Sequence, residues 1–330
     1  MGGRIRAILL LLLWFGAAAA LPPEPPGELK KLVGEYRSEG AALTVYEESG
    51  TLFADGFKLH RTPLRRLSGT RFSSDAAPGQ AAAVVVFEED RSQRATVVVA
   101  GTRLQYKDIG AEVVQTIRAG VKADTGQLRA AALAAKPPAE PSPRRAFELV
   151  DLATLDPGIK FDIRYASSNN FIGFPLYERP AAFLQRPAAE ALGRVARALA
   201  PKGYGLLIHD AYRPWFVTKM FWDATPDTSH VFVADPSQGS RHNRGCAVDL
   251  TLYDLKTGRA VEMTGRYDEM SPRSFADYIG GTSRQRWLRE LLRTSMEAQG
   301  FAVYPQEWWH FDYQDWNEYG IGNATFTELK

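Results

Sequence analysis

Two short stretches of this sequence bring together residue types that can do chemistry. One is Ser240-Arg241-His242-Asn243-Arg244-Gly245-Cys246-Ala247-Val248-Asp249, and the other is Glu307-Trp308-Trp309-His310. A catalytic zinc site needs three protein ligands and one open position for water. His242, Asp249 and His310 meet that count. Zinc lowers the pKa of its water to about 7, and a carboxylate must then take the proton and pass it to the leaving amine. Glu307 is the candidate, because it lies three residues before His310, where a helical turn or a bend brings both toward one metal. Taken singly, each residue has a plainer reading: a loop histidine, an aspartate capping a turn, and two tryptophans serving as core and wall. The weight lies in their fitting one site together.

A third stretch is His209-Asp210-Ala211-Tyr212-Arg213-Pro214. An arginine after a buried strand usually faces solvent. Here Arg213 can stabilise the oxyanion formed when a carbonyl is attacked, and Asp210 can hold it by a charge-assisted hydrogen bond.

With these three stretches in order, the second half of the chain resembles the D-alanyl-D-alanine dipeptidase family, the VanX-like zinc peptidases. The shared pattern is Ser-x-His-x-x-Gly-x-Ala-x-Asp at 240–249, Asp-x-Tyr-Arg-Pro at 210–214 and Glu-Trp-Trp-His at 307–310. The resemblance spans roughly 150–313. It implies one zinc ion per chain on His242, Asp249 and His310, Glu307 as general base and acid, and Arg213 at the transition state. It also implies substrate contacts. Asp268, in Met263-Thr264-Gly265-Arg266-Tyr267-Asp268, matches the aspartate that meets the substrate amine, while Tyr165 and Ser240 match residues near the substrate. Arg241 stands where some members carry a second serine. The implied activity is hydrolysis of D-alanyl-D-alanine, a small dipeptide from the cell wall. Two alternatives stand beside it: a D,D-carboxypeptidase on peptidoglycan stem peptides, and a non-catalytic wall-binding protein retaining the zinc fold. An anion for the free amine separates the dipeptidase from the carboxypeptidase.

The elements that must position these residues divide the chain. Residues 28–108 read as a small all-β domain: short runs at 32–36, 42–46, 82–87, 95–100 and 103–106 are punctuated by Ser49-Gly50, Asp55-Gly56, Pro78-Gly79 and Gly101. Such spacing predicts an antiparallel sheet or a small barrel, whose partner the sequence does not name. Residues 109–145 read as one helix over 109–133 and then a spacer with four prolines in seven residues at 137–143. Residues 146–330 form the site-bearing domain. Here 186–200 is a helix with Pro187 in its first turn, 204–209 and 247–253 are strands, 283–299 is an amphipathic helix stopped by Gly300, and 301–304 opens a last strand. The expected fold class is α+β: a zinc peptidase core with a small antiparallel sheet, helices on one face and the metal on its open side.

Composition narrows the function classes. In 330 residues, 45% are hydrophobic and 24% charged, as in globular proteins. Forty Lys+Arg against 38 Asp+Glu make no global field for nucleic acid. With one cysteine, Cys246, neither an intramolecular disulfide nor a Cys-rich zinc site exists. Cys246 itself reads as a small packed residue at the start of an apolar strand, His60 as a structural or surface residue, His230 as a surface residue, and His209 as packing or as a support behind the site. Residues 1–20 read as a secretory signal: Arg4 and Arg6, an apolar run from Ala7, then Ala17 to Ala20 before Leu21-Pro22-Pro23. At fifteen residues the run is short for a membrane span. The expectation is a secreted or periplasmic chain with no membrane span after cleavage.

Overall fold

The computed structural model describes residues 20–74, 83–89, 95–121, 124–140 and 144–329. The signal reading, apart from Ala20, falls outside them, as do Pro78-Gly79 and residues 141–143 of the spacer.

After a single helical turn, α1 (Gly27–Lys30), come eight strands: β1 (Gly34–Ser38), β2 (Ala41–Glu48), β3 (Thr51–Gly56), β4 (Leu59–Ser68), β5 (Arg71–Ser74), β6 (Val84–Glu89), β7 (Ala95–Val99) and β8 (Thr102–Tyr106). Neighbours pair antiparallel, and Tyr36↔Tyr106 and Arg37↔Gln105 join β1 to β8 into a closed barrel. Alternation explains the interior. Val85 and Phe87 on β6, and Val97 and Val99 on β7, are buried, and the residues between them are more exposed. Closure leaves no unpaired edge. Strands β3 to β5 escaped the sequence reading, because β4 carries Pro63 and five exposed polar or basic residues, His60, Arg61, Arg65, Arg66 and Ser68, whose adjacent pairs blur its alternation.

The single helix expected over 109–133 is two, α2 (Ile109–Val121) and α3 (Thr125–Ala134). Asp124 starts the second by accepting from Gln127 N at 3.1 Å, a side-chain N-cap. Both pack as part of the second half: Ile117, Val121 and Ala132 lie in its hydrophobic core. The spacer is also tied down, since Glu140 accepts from Ile321 N and pairs with Arg244 at 2.8 Å.

The remaining elements are β9 (Leu149–Asp151), β10 (Lys160–Phe161), β11 (Phe183–Gln185), α4 (Arg186–Leu199), β12 (Tyr204–Asp210), α5 (Trp215–Ala224), β13 (Ala247–Asp254), α6 (Ser283–Glu297), β14 (Phe301–Tyr304) and β15 (Glu307–Tyr313). The main sheet runs β10-β12-β13-β15-β14. It is mixed rather than purely antiparallel, because the edge strand β10 pairs parallel to β12. A parallel pair needs a long return connection, and here β11 and α4 supply it. Helices α4 and α6 touch each other and the sheet strands. Leu250 and Leu252 of β13 and Leu288, Leu292 and Met296 of α6 are buried in one core. Pro187 sits in the first turn of α4, and Thr282 with Gln285 makes a reciprocal capping box for α6. Residues Asp249 and Thr251, at the alternate positions of β13, point away from that helical layer.

Candidate metal centre and active site

Asp249 of β13 stands directly opposite His310 of β15 in the antiparallel register. Opposite residues in such a pair share a face. His242 reaches them from a one-turn 3-10 helix, His242–Arg244, which closes on Gly245 at φ +68 before β13 begins. That turn is stitched to the arginine loop: Arg213 N donates to His242 O at 3.1 Å, and Asn243 Nδ2 donates to Arg213 O at 2.8 Å.

The three side chains converge on one point. His242 Nε2 is 3.2 Å from Asp249 Oδ1, His310 Nδ1 is 3.1 Å from the same oxygen, and the two nitrogens are 3.1 Å apart. Donors about 2.0–2.1 Å from a tetrahedral zinc stand roughly 3.3 Å from one another. The tautomers follow from the far side of each ring. His242 Nδ1 faces Ala211 O at 2.6 Å, and His310 Nε2 faces Asp312 Oδ1 at 2.9 Å. Both oxygens only accept, so those nitrogens carry the protons. In the neutral rings His242 Nε2 and His310 Nδ1 therefore aim lone pairs at Asp249 Oδ1, itself buried without a hydrogen bond. Three buried lone pairs facing each other are unfavourable unless a cation sits among them, and the group fits a zinc ion. The charges agree. Burial opposes ionisation of Asp249, yet His242 and His310 hold its carboxyl far below the usual range. Burial likewise opposes charging of His310, but Asp312 and Asp249 push the imidazole well above its usual value. These carboxylates attract either a proton or a metal ion, so the two compete.

Glu307 lies on a strand and not on a helical turn. On a regular strand, residues three apart face opposite ways. The β14–β15 register jumps from Val303↔Phe311 to Tyr304↔Glu307, and this bulge turns Glu307 back toward the histidine. Its Oε2 is 3.6 Å from His310 Nδ1. Burial, opposed by His310 and reinforced by Asp249, pushes its carboxyl up to about 7.

Arg213 is buried and held as a fork. Its Nε and Nη2 contact Asp210 Oδ2 at 2.9 and 2.8 Å, and Nη2 is 3.6 Å from Asp249 Oδ2. Its guanidinium lies 4.7 Å from the Phe221 ring centre and 5.3 Å from that of Tyr165. Tyr177 OH donates to Asp210 Oδ1 at 2.6 Å, fixing the acid that fixes the arginine. Burial opposes the charge on Arg213, but Asp210 leads the groups that keep it firmly protonated.

A cavity of about 310 Å³ joins these parts, lined among others by Arg213, His242, Asp249, Glu307, His310 and Asp268. This is near the small end of ligand pockets, about 300–1,000 Å³. Tyr165 and Asp268 meet on its wall, with Tyr165 OH donating to Oδ1 at 2.9 Å, while Asp268 Oδ2 is buried without a partner. Burial first, and then Asp249, push the Asp268 carboxyl well above its usual range. Ser240 also lines the cavity, but its Oγ accepts from His242 N at 3.2 Å and so braces the ligand turn. Arg241, the departure from the shared pattern, lines the cavity too and lies 4.6 Å from the Trp316 ring centre.

Three contributors escaped the sequence reading. Asp312 orients His310; it lies two residues on, the spacing that shares a strand face, and this was a usable signal. Tyr267 OH donates to Asp249 Oδ2 at 3.1 Å, and Tyr177 holds Asp210; neither had a local signal. Cys246 is fully buried with its thiol pushed far up by burial, and takes no part in the ligand group. His209 stacks on Tyr267 at 4.5 Å, and burial and Arg164 lower its pKa to about 4. His230 is not a free surface residue, for it stacks on Trp222 at 3.7 Å with Nε2 2.9 Å from Thr225 O.

Residues 145–327 match the family described as D-Ala-D-Ala dipeptidase. Similar proteins include D-alanyl-D-alanine dipeptidases of Escherichia coli (strain K12), 37% identical over 165 residues, 50% of this chain and 84% of the relative. One from Enterococcus faecium is 35% identical over 176 residues, 48% of this chain and 87% of the relative. Another, from Streptomyces coelicolor, is 35% identical over 172 residues, 47% of this chain and 85% of the relative. The barrel precedes the matched span. With the family pattern covering more than half of the chain, and with relatives matched over most of their own length, the chain belongs to the D-Ala-D-Ala dipeptidase family of peptidases.

Proposed function

We propose that this protein is a zinc-dependent dipeptidase that hydrolyses D-alanyl-D-alanine or a closely similar small dipeptide. The observation that carries the reading is the convergence of His242 Nε2, Asp249 Oδ1 and His310 Nδ1, with Glu307 beside them and Asp268 on the wall of the same cavity. His242, Asp249 and His310 would hold a zinc ion, which when bound would supply a water of lowered pKa and a Lewis acid for the scissile carbonyl. Glu307 takes the proton from the attacking water and delivers it to the amine that leaves. A carboxyl near 7 suits both halves of that task at neutral pH. Arg213, pre-oriented by Asp210 and Tyr177, meets the negative charge that grows on the carbonyl oxygen. Because its donors are already fixed, little reorganisation is needed as the charge develops. Asp268 receives the substrate ammonium, whose charge satisfies the unpartnered Oδ2 and favours the ionised carboxylate. Arg241, on the lining of the same cavity, is our candidate for the far carboxylate. With residues 1–20 as a leader, this chemistry belongs outside the cytoplasm, on peptides released from the wall.

The test is hydrolysis of free D-Ala-D-Ala and of its N-acylated form by the full chain loaded with zinc, beside Glu307→Gln. Cleavage of the free dipeptide alone, lost in the variant, supports the reading. Cleavage of the acylated substrate at equal efficiency replaces it with a carboxypeptidase. Zinc binding without either cleavage replaces it with a wall-binding protein.

A further inference from the structure

The segment that carries Asp268 is a tight turn. Glu269 N donates to Arg266 O at 3.3 Å, which makes Tyr267 and Asp268 its two central residues. Asp268, the third residue of the turn, has φ +58. That position in a type II turn demands positive φ and ordinarily takes glycine or asparagine. An aspartate held there persists only when its surroundings leave it no alternative.

Those surroundings come from the junction between the barrel and α2. Asp108 Oδ2 pairs with Arg266 Nη2 at 2.6 Å, at the first residue of the turn. Gly110 sits against the side chain of Glu269, the last residue. A Cβ built on Gly110 would lie 2.2 Å from Glu269 Cγ and 2.7 Å from Cδ. Glu269 cannot swing away freely. It is buried, and its carboxylate accepts from Arg266 N at 2.9 Å and Ser271 Oγ at 2.7 Å and pairs with Arg273 Nε at 2.9 Å. The junction in turn belongs to a seated barrel. Lys107 N donates to Glu35 O of β1 at 2.8 Å, and Glu35 Oε1 accepts from Tyr278 OH. Glu47 of β2 accepts from Ser283 N at 2.9 Å at the start of α6. Of the two grips, the close packing is the stronger, because the Arg266 side chain is 61% exposed and an exposed pair contributes little.

We propose that the barrel's exit, Asp108 to Gly110, is a positioning element for Asp268. It grips both ends of the turn that presents this carboxylate, so a module outside the matched family span sets the affinity for the substrate's ammonium group. This rests on the reading that Asp268 meets the amine.

The experiment is steady-state hydrolysis of free D-Ala-D-Ala by the full zinc-loaded chain, comparing wild type, Gly110→Ala, Asp268→Asn and the double variant. Zinc content and Tm are measured for each. In a helix, glycine to alanine ordinarily favours folding, so a loss here reports the contact with Glu269. Gly110→Ala is expected to raise KM about tenfold while changing kcat less than about threefold, below the hundredfold that a misplacement of about 1 Å can cost. In the Asp268→Asn background the same change is expected to add nothing. An equal rise in that background overturns the proposal, because Gly110 then acts elsewhere. An unchanged KM in Gly110→Ala, with a raised KM in Asp268→Asn, overturns it while the amine reading stands. An unchanged KM in Asp268→Asn removes the amine reading and the proposal with it. If Gly110→Ala does not fold, Asp108→Ala tests the other grip. It should raise KM about threefold, within what an exposed pair can supply, and only when Asp268 is present; an unchanged KM overturns the proposal.

Discussion

Replacing Asp312 by alanine should loosen the metal without touching a ligand. Asp312 Oδ1 accepts from His310 Nε2 at 2.9 Å, and the carboxylate is 16% exposed. That bond fixes the tautomer that leaves Nδ1 free to ligate, and its charge makes the imidazole a better donor. Burial raises the Asp312 carboxyl, but His310 more than offsets this and holds it below the usual range, so it is anionic at neutral pH. A hydrogen bond to a charged group contributes about 1.5–3 kcal/mol, and loss of such an outer partner costs about 10–100-fold in metal affinity. That factor corresponds to about 1.4–2.7 kcal/mol, and the two ranges overlap. Asp312→Ala should therefore raise the zinc Kd by roughly 10–100-fold, whereas Asp312→Asn, which keeps an acceptor oxygen, should stay at or below about tenfold. Competition of the metal-free chain with a chromophoric chelator at fixed pH reads the Kd directly, with Tm of the apo variants as a folding check. An Asp312→Ala Kd within about threefold of wild type, in a folded chain, would refute the assigned tautomer and with it the lone-pair triangle.

Glu307→Gln should lower kcat by about 10²–10⁴-fold and leave zinc content unchanged, checked by turnover and metal analysis. A base must be deprotonated to act, so kcat/KM should fall as pH drops through a midpoint at or below about 7, because a cation at the triad favours the carboxylate. The linkage for stability runs the opposite way. A carboxyl raised in the fold from 4.5 to about 7 binds protons that the unfolded chain has released, so its contribution is lost as pH rises through that window. The Tm of apo Glu307→Gln should accordingly exceed that of the apo wild type at pH 8 and converge on it at pH 4. Arg213→Lys loses the fork on Asp210 and should cost about 10²–10³ in kcat with a smaller change in KM. Cys246, fully buried with its thiol pushed up, should react with a thiol reagent only after denaturant is added.

Local chemistry was legible wherever the signal is carried by neighbours in the chain. Pro187 in the first turn of α4 and the alternation of β6 and β7 are written in adjacent residues. The break between α2 and α3 was not, because it depends on whether Asp124 caps a new helix or sits on the face of a continuous one. Nor was the parallel edge strand β10, whose two residues carry no pattern of their own. Closure of the barrel rests on two residue pairs between its first and last strands, which no local run can announce.

By itself the sequence determined the candidate donor set, the charge carriers and their order along the chain: His242, Asp249 and His310 as candidate ligands, Glu307 as the spare acid and Arg213 behind Asp210. These depend on residue type and short spacing. The tertiary structure alone decided that the set becomes a site. Cross-strand register sets Asp249 opposite His310, and a bulge reverses the face that Glu307 would otherwise present. Ala211 O and Asp312 choose the tautomers that free two lone pairs, and the barrel's exit meets the turn bearing Asp268. Each of these is a contact between residues distant in the chain, or a face selected by pairing, and distances of 3 Å are set by packing and hydrogen-bond register rather than by the order of residues.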